Sequence, residues 1–239
     1  MTALFISDLH LEQQRPDISE AFLRFVREKA SGCERFYILG DLFELWIGDD
    51  FSNAFVDNIK TAMKALSDSG TQCFFMHGNR DFLIGEHFSQ QTGFKLLSDP
   101  YLLEYKNQRY LLMHGDLLCT ADTEYMKMRQ LFRSVPFQQN FLKQSIEERL
   151  SIGKKLRSAS SEAGAYKSAE IMDVTETEVV KYMEKYQVNT LIHGHTHRPK
   201  IHDIPLKNQR NGKRFVLSDW DQKVWYLEID SQGCHLKSC

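Results

Sequence analysis

Short apolar runs recur along the chain, and most of them stop at polar residues. Leu4-Phe5-Ile6 gives way to Ser7-Asp8-Leu9-His10, Phe36-Tyr37-Ile38-Leu39 to Gly40-Asp41, and Phe74-Phe75-Met76 to His77-Gly78-Asn79-Arg80. Tyr110-Leu111-Leu112-Met113 leads to His114-Gly115-Asp116, and Leu191-Ile192 to His193-Gly194-His195-Thr196-His197. Runs of this length fit buried strands, although periodicity alone leaves short buried helices open. Between the runs the spacing turns helical. Phe51, Phe55, Ile59, Met63 and Leu66 share one helix face, and Phe22, Leu23 and Val26 mark another helix. Thr175 and Glu178 are spaced as a capping box ahead of Val179, Val180 and Met183. Two stretches read as antiparallel hairpins: Tyr101–Tyr105 with residues 109–113 about Lys106-Asn107-Gln108, and residues 214–217 with 224–229 about 218–223. Strands alternating with helices, with antiparallel pairs added, predict an α/β fold with mixed sheets flanked by helices.

Residues 122–170 break this rhythm. Tyr125, Met128, Leu131 and Phe132, then Phe141, Ile146, Leu150 and Leu156, are helical in pattern, and the segment carries nine basic against six acidic residues. It is expected to be a helical insertion, or cap, over a core made of residues 1–121 and 171–239. An ordinary solvated helical hairpin is the alternative.

Composition narrows the class. With 42% hydrophobic residues in 239, the chain can bury a core without disulfides. Its 30 basic and 32 acidic residues nearly balance, so no general nucleic-acid partner is expected. The five cysteines are odd in number, lack CxxC spacing and read as free thiols of a reducing compartment. The opening residues reach Asp8 too soon for the apolar core of a signal peptide, and no apolar run approaches the roughly 18 residues that span a bilayer. A cytoplasmic protein is expected, with a monomer assumed.

The chemistry sits where the predicted strands end, the side on which open α/β sheets bind ligands. Those ends offer Asp8 and His10, Asp41, Asn79, His114, and His195 with His197, all oxygen or imidazole donors. The pairs Asp8/His10 and His195/His197 are spaced by two, which in extended chain aims both side chains to one face. Any one of these elements has a bland reading as a turn or surface residue. Five at five strand ends are hard to assign to packing, because buried His and Asp without partners are costly.

The ordered set Asp8-Leu9-His10, Gly40-Asp41, Gly78-Asn79, His114 and Gly194-His195-Thr196-His197 resembles the calcineurin-like metallophosphoesterases over residues 4–198. The resemblance implies a β-sandwich flanked by helices and a dinuclear centre. Asp8, His10, Asp41 and His197 would hold one metal, with Asp41 bridging to a second completed by Asn79, His114 and His195. Two divalent cations against the Asp8 and Asp41 carboxylates leave a net +2 to attract a phosphate and stabilise a hydroxide. Mixed oxygen and imidazole donors suit Mn²⁺, Fe²⁺, Zn²⁺ or Co²⁺, and the resemblance favours Mn²⁺.

One departure is informative. Many members of the family carry histidine after Gly-Asn, where it can protonate a poor leaving group; this chain carries Arg80. Arginine keeps its proton but binds phosphate through a fork of charge-assisted hydrogen bonds. A phosphate leaving group, with a second pKa of about 6, needs little acid help, which points to pyrophosphate cleavage. The alternative is that Arg80 only pairs with Asp81.

Longer matches run from Ile38 through Gly40-Asp41-Leu42-Phe43-Glu44-Leu45-Trp46 to Asp50, and through Met76–Leu83, Ile171-Met172-Asp173-Val174 and residues 192–199. These are similar to the branch of the family acting on UDP-2,3-diacylglucosamine in lipid A synthesis of Gram-negative bacteria. That likeness implies hydrolysis to UMP and 2,3-diacylglucosamine 1-phosphate, by hydroxide attack on the α-phosphorus, in a protein peripheral to the cytoplasmic face of the inner membrane. It implies catalytic roles for Asp41, Asn79, Arg80 and His195, and substrate contacts at Asn79, Arg80, Asp122, Ser160, Gly164, Lys167 and His195. Gly164 stands where a polar residue is expected and could contact substrate only through its backbone. His77 and His193 are expected to support ligands rather than bind metal. Glu44, Asp49 and Asp50 either orient ligands or belong to a solvated loop, and His87, His202 and His235 are expected to be surface residues. A phosphoesterase of other specificity and a catalytically silent lipid-binding module are the competing readings.

Overall fold

The structure, a computed structural model, describes residues 2–165 and 171–239. The chain begins with alternating strands and helices: β1 (Ala3–Ile6), α1 (Pro16–Phe25), β2 (Arg35–Leu39), α2 (Ala54–Asp68), β3 (Gln72–Met76), α3 (Glu86–Thr92) and β4 (Lys95–Leu97). Local chemistry sets the helix ends. Pro16 opens α1, and the Asn53 side chain accepts from Val56 N at 2.8 Å at the start of α2. Gly93, at φ 75°, closes α3 in the left-handed conformation. A hairpin follows, β5 (Tyr101–Tyr105) and β6 (Gln108–Leu112). Its turn is Lys106-Asn107 alone, at φ 51° and 60°, so Gln108 pairs with Tyr105 instead of belonging to the predicted three-residue turn.

Three helices then intervene: α4 (Thr123–Phe132), α5 (Val135–Leu142) and α6 (Ile146–Ala165). The remaining elements are α7 (Glu176–Lys185), β7 (Thr190–His193), β8 (Lys200–Pro205), β9 (Asn211–Val216), β10 (Trp225–Ile229) and β11 (Cys234–Ser238). The capping box expected at α7 is absent. The Thr175 hydroxyl instead accepts from Thr120 at 2.9 Å, and Glu178 takes the ammonium of Lys181. The same motif does form at α6, where Ser145 N donates to Glu148 at 2.9 Å and Glu148 N to Ser145 Oγ at 3.2 Å.

The strands build two sheets, one six-stranded in the order β11-β10-β1-β2-β3-β4 and one five-stranded in the order β5-β6-β7-β9-β8. β1 to β4 run parallel, as do β6, β7 and β9. The predicted hairpin near the end of the chain is not one. β9 pairs with β7 and β8 in the smaller sheet, and β10 with β1 and β11 in the larger. The connection between them crosses from sheet to sheet, with Trp220 buried against Phe22 and Phe25 on the far side of the larger one.

Between the sheets lies an apolar layer including Phe5, Tyr37, Leu39, Leu112, Ile192, Phe215 and Leu227, in which the Tyr37 ring stacks at 4.7 Å on both Phe5 and Phe74. A second cluster packs α1 to α3 on the larger sheet, and a third packs α7 on the smaller. Each strand buried on both faces reads as continuous apolar sequence, which is why the runs were visible. Parallel strands end at a common edge, so Asp8, Asp41, Asn79, His114 and His195 are delivered together. Removing a side chain that no solvent reaches in the middle layer, as in Leu112→Ala, should cost about 2–5 kcal/mol in urea unfolding.

Candidate metal centre

Seven donor groups meet above the two sheet edges. The Nε2 atoms of His10 and His197 are 3.3 Å apart, and His197 Nε2 is 3.4 Å from Asp8 Oδ1. On the other side Asn79 Oδ1 lies 3.1 Å from His114 Nε2 and 2.9 Å from His195 Nδ1. Asp41 stands between the groups, with Oδ2 3.9 Å from His10 Nε2 and 3.8 Å from His114 Nε2. Two sets of donor atoms thus converge, one on Asp8, His10 and His197 and one on Asn79, His114 and His195, with Asp41 within reach of both. Oxygen and imidazole donors at this density fit a pair of divalent cations.

The backbone is bent to achieve this. Among the described residues ten non-glycines have positive φ, and five of them are Asp8, His10, Asp41, His195 and His197, at 51–67°. The two spaced pairs are therefore not extended chain, as their spacing implied, but turns in which each donor takes a left-handed conformation costing of order 1 kcal/mol. Close approach also requires glycine: a Cβ on Gly78 would lie 2.1 Å from Asp41 Oδ1, and one on Gly194 would lie 2.1 Å from Asp8 Oδ2.

Partners around the donors fix their orientation. Asp8 accepts from Ser7 Oγ at 2.6 Å and from His195 N at 2.9 Å. Asp41 Oδ1 accepts from Arg80 N at 2.8 Å. His114 Nδ1 donates to the Leu39 carbonyl at 2.9 Å, which leaves Nε2 as the donor toward Asp41 and Asn79. Carboxylates lie against two further imidazoles: Glu44 is 2.9 Å from His10 Nδ1, an ion-pair contact without hydrogen-bond alignment, and Asp219 is 3.0 Å from His197 Nδ1. A carboxylate on the far nitrogen fixes the tautomer and makes the near nitrogen a better ligand. Glu44 was ambiguous in the sequence. Asp219 had no local signal at all, since the sheet-to-sheet crossing alone brings it to His197.

Charges among the donors follow the same geometry. Burial opposes the charged form of His114, but Asp41, Asp116 and Asp8 outweigh it and lift its pKa to about 9. Burial likewise opposes His197, which Asp8 and Asp219 raise to about 10. His195 is pushed down to about 4 by burial and by the neighbouring His114 charge. Burial alone would raise Asp8, yet the imidazoles around it hold it well below the usual carboxylate range.

Arg80 does not pair with Asp81. The buried Asp81 carboxylate takes the backbone N–H groups of Gly78, Asp41 and Leu42 at 2.7–3.3 Å, and the buried Arg80 Nε makes no hydrogen bond among the described residues. His77 Nε2 donates to the Ile84 carbonyl, and the buried His193 donates from Nδ1 to the Gly194 carbonyl and accepts from Arg214 at Nε2, so both of its nitrogens are engaged away from a cation. Asp49 and Asp50 are structural: Asp49 takes Trp46 Nε1, Gly85 N and Phe88 N, while Asp50 pairs with Arg149. His87 is exposed, whereas His202 and His235 are half-buried.

The helical segment comes down on this centre. Arg133 donates to the Gly78 carbonyl at 2.9 Å, and the Phe132 ring stacks on Phe82 at 6.2 Å. The Tyr125 ring lies 5.7 Å from that of His195. Buried Asp116 accepts from Tyr125 Oη at 2.9 Å and from Arg129 Nε at 2.7 Å. Asp122 is the N-cap of α4, accepting from Tyr125 N at 3.1 Å. Ser160 and Gly164 fall in the last turns of α6, where side chains are not described, and Lys167 lies outside the described residues.

Sheet order and donor set together define a metal-dependent phosphoesterase, and the model of the calcineurin-like phosphoesterase family matches residues 1–199: the chain belongs to that family. It is 50% identical over 228 residues to the UDP-2,3-diacylglucosamine hydrolase of Marinobacter nauticus, covering 95% of this chain and 93% of that protein. The enzyme of the same name from Pseudomonas putida is 50% identical over 234 residues, covering 98% and 97%. A solved archaeal phosphodiesterase shares the fold, with a TM-score of 0.50 at 12% identity over the full length of both chains.

Two outcomes are expected. Gly194→Ala should lower cation affinity by about 10-fold or more with the fold retained by circular dichroism, because the new methyl displaces the Asp8 carboxylate. Titration with Mn²⁺ at pH 7 should release about two protons, one each from His114 and His197, since ligation requires neutral imidazole. Affinity should therefore rise with pH through this range, as pH-stat titration can measure.

Proposed function

We propose that the chain hydrolyses the pyrophosphate of UDP-2,3-diacylglucosamine, giving UMP and 2,3-diacylglucosamine 1-phosphate in lipid A synthesis. The observation that carries the reading is a complete donor cage within a chain about half identical, end to end, to hydrolases of that substrate. Asp8, His10, Asp41 and His197 would hold one cation, and Asp41, Asn79, His114 and His195 the other. When bound, a pair of divalent cations, Mn²⁺ by preference for this donor set, supplies Lewis acidity toward phosphate oxygens and lowers the pKa of water.

The chain's own residues account for the rest. Arg80, whose backbone N–H bonds Asp41 beside the cage and whose side chain is half-buried, would grip a phosphate oxygen through its guanidinium. Asn79 and His195 share one hydrogen bond at the cage rim and can orient the phosphoryl group on the side opposite His10. Water oxygen bonds to the α-phosphorus as its bond to the bridging oxygen breaks, and the departing lipid phosphate leaves without a histidine acid. Asp122, Ser160, Lys167 and the Gly164 backbone are the remaining proposed contacts, with Asp122 combining this with its cap at α4.

Residues 122–170 serve as the cap that receives the acyl chains. Phe132, Phe137 and Phe141 follow one another at 5.0 and 6.1 Å across α4 and α5, and Leu131 and Val135 nearby are 50% and 64% exposed, unusual for side chains so apolar. Basic residues of the same segment would meet anionic headgroups at the cytoplasmic face of the inner membrane, at about 1 kcal/mol each. No helix among the described residues is long and apolar enough to cross a membrane, so the attachment proposed is peripheral.

Turnover of the UDP-diacylglucosamine by Mn²⁺-loaded protein in ¹⁸O water should place the label in UMP; label in the lipid phosphate would reverse the leaving group. Asp41→Ala should abolish turnover and lose both cations. Arg80→Ala should keep the cations and lower kcat/KM by about 10- to 100-fold, the worth of a charge-assisted contact. Equal cation loss in the two variants, read by isothermal titration, would contradict that division.

A further inference from the structure

Helix α6 touches the loop after Asp41 through residues spaced by four. Arg149 donates to the Ile47 carbonyl at 2.7 Å and forks onto Asp50, with its own side chain 2% exposed. Gly153 lies so close that a Cβ there would be 2.9 Å from Leu45 Cδ1. Arg157 Nε pairs with Glu44 Oε1. Positions 149, 153 and 157 form one stripe of the helix. Its last contact ends on a carboxylate whose other oxygen lies 2.9 Å from His10 Nδ1, an ion-pair contact without hydrogen-bond alignment.

We infer that Glu44 is a positioning residue that couples the seating of α6 to cation binding at His10, through the chain Arg157–Glu44–His10. The inference rests on His10 being a ligand of the centre described above. With one oxygen on the imidazole and the other on the guanidinium, Glu44 cannot serve either group in full without being placed for the other. Cation binding fixes the imidazole and makes its far N–H more positive, which draws the adjacent Glu44 carboxylate into alignment and pre-places the acceptor of Arg157. Coupling between two binding events is reciprocal, so a seated α6 must favour the cation by the same factor. Since α6 also carries positions 160 and 164 of the proposed substrate contacts, the cap would close most firmly over a loaded centre.

Mn²⁺ affinity by isothermal titration and backbone hydrogen exchange across residues 149–157 test this on the full-length chain, with Glu44→Gln, Arg157→Ala and the double variant. Glu44→Gln should weaken one Mn²⁺ site by about 10- to 100-fold. Arg157→Ala should weaken the same site several-fold although it touches no ligand, and should have no such effect in the Glu44→Gln background. Mn²⁺ should slow exchange across 149–157 in the unsubstituted chain and not in Glu44→Gln. The double background matters because through-space repulsion between Arg157 and the cations survives loss of Glu44, whereas the relay does not. An Arg157→Ala effect of equal size in both backgrounds, or Mn²⁺-independent exchange in the unsubstituted chain, would overturn the coupling while leaving the metal centre intact. Failure of the unsubstituted chain to bind two cations would overturn the metal centre and the coupling with it.

Discussion

The energetics of this protein turn on placing two buried carboxylates side by side. Asp8 and Asp41 present oxygens within 4.8 Å of each other and of a His114 nitrogen, all with almost no access to water. Two like charges at that separation repel by on the order of 3 kcal/mol at an effective dielectric of about 20. The structure meets this repulsion in several ways. Backbone N–H groups of His195 and Arg80 bond the carboxylates, Ser7 bonds Asp8, and His114 and His197 hold protons against the cost of burial. Those protons are the part that cations replace.

Much of what keeps the cage rigid belongs to the sheets. Five donors sit in left-handed backbone, a conformation that non-glycine residues leave unless the surroundings hold them. The hold comes from strands buried on both faces and from bonds that tie one strand end to the next, such as Asp8 N to the Gly40 carbonyl at 3.0 Å and Gly194 N to the His114 carbonyl at 2.8 Å. Those two bonds each link neighbours within a sheet, while the bond from His195 N to Asp8 joins the two sheets. The cage is thus also the clasp that closes the open edge of the sandwich.

Much of this could be read from the sequence because buried strands write their identity in consecutive residues. Leu4-Phe5-Ile6 before Asp8 and Phe36-Tyr37-Ile38-Leu39 before Asp41 announce both the strand and where it stops. What resisted reading depends on contacts distant in the chain. Residues 218–223 cross between sheets with Trp220 anchored against Phe22 and Phe25, and nothing in their spacing distinguishes that from a hairpin. Asp219 and Glu44 reach imidazoles 22 and 34 positions away, respectively. The paired boxes at Ser145/Glu148 and Thr175/Glu178 are alike in sequence, but in the second the side chains are engaged elsewhere, Thr175 by Thr120 and Glu178 by Lys181.

The division between cage and helical segment explains how one reaction could be fitted to one substrate. None of the seven donors comes from α4, α5 or α6, yet these helices meet the cage at several separate points. Arg133 takes the Gly78 carbonyl next to Asn79, Tyr125 and Arg129 converge on Asp116 two residues after His114, and Arg157 shares Glu44 with His10. Each anchor lies within three residues of a donor and leaves the donor atom itself free. A helical segment attached in this way can change the shape and polarity of the space above the cations while the cations' own ligands stay constant.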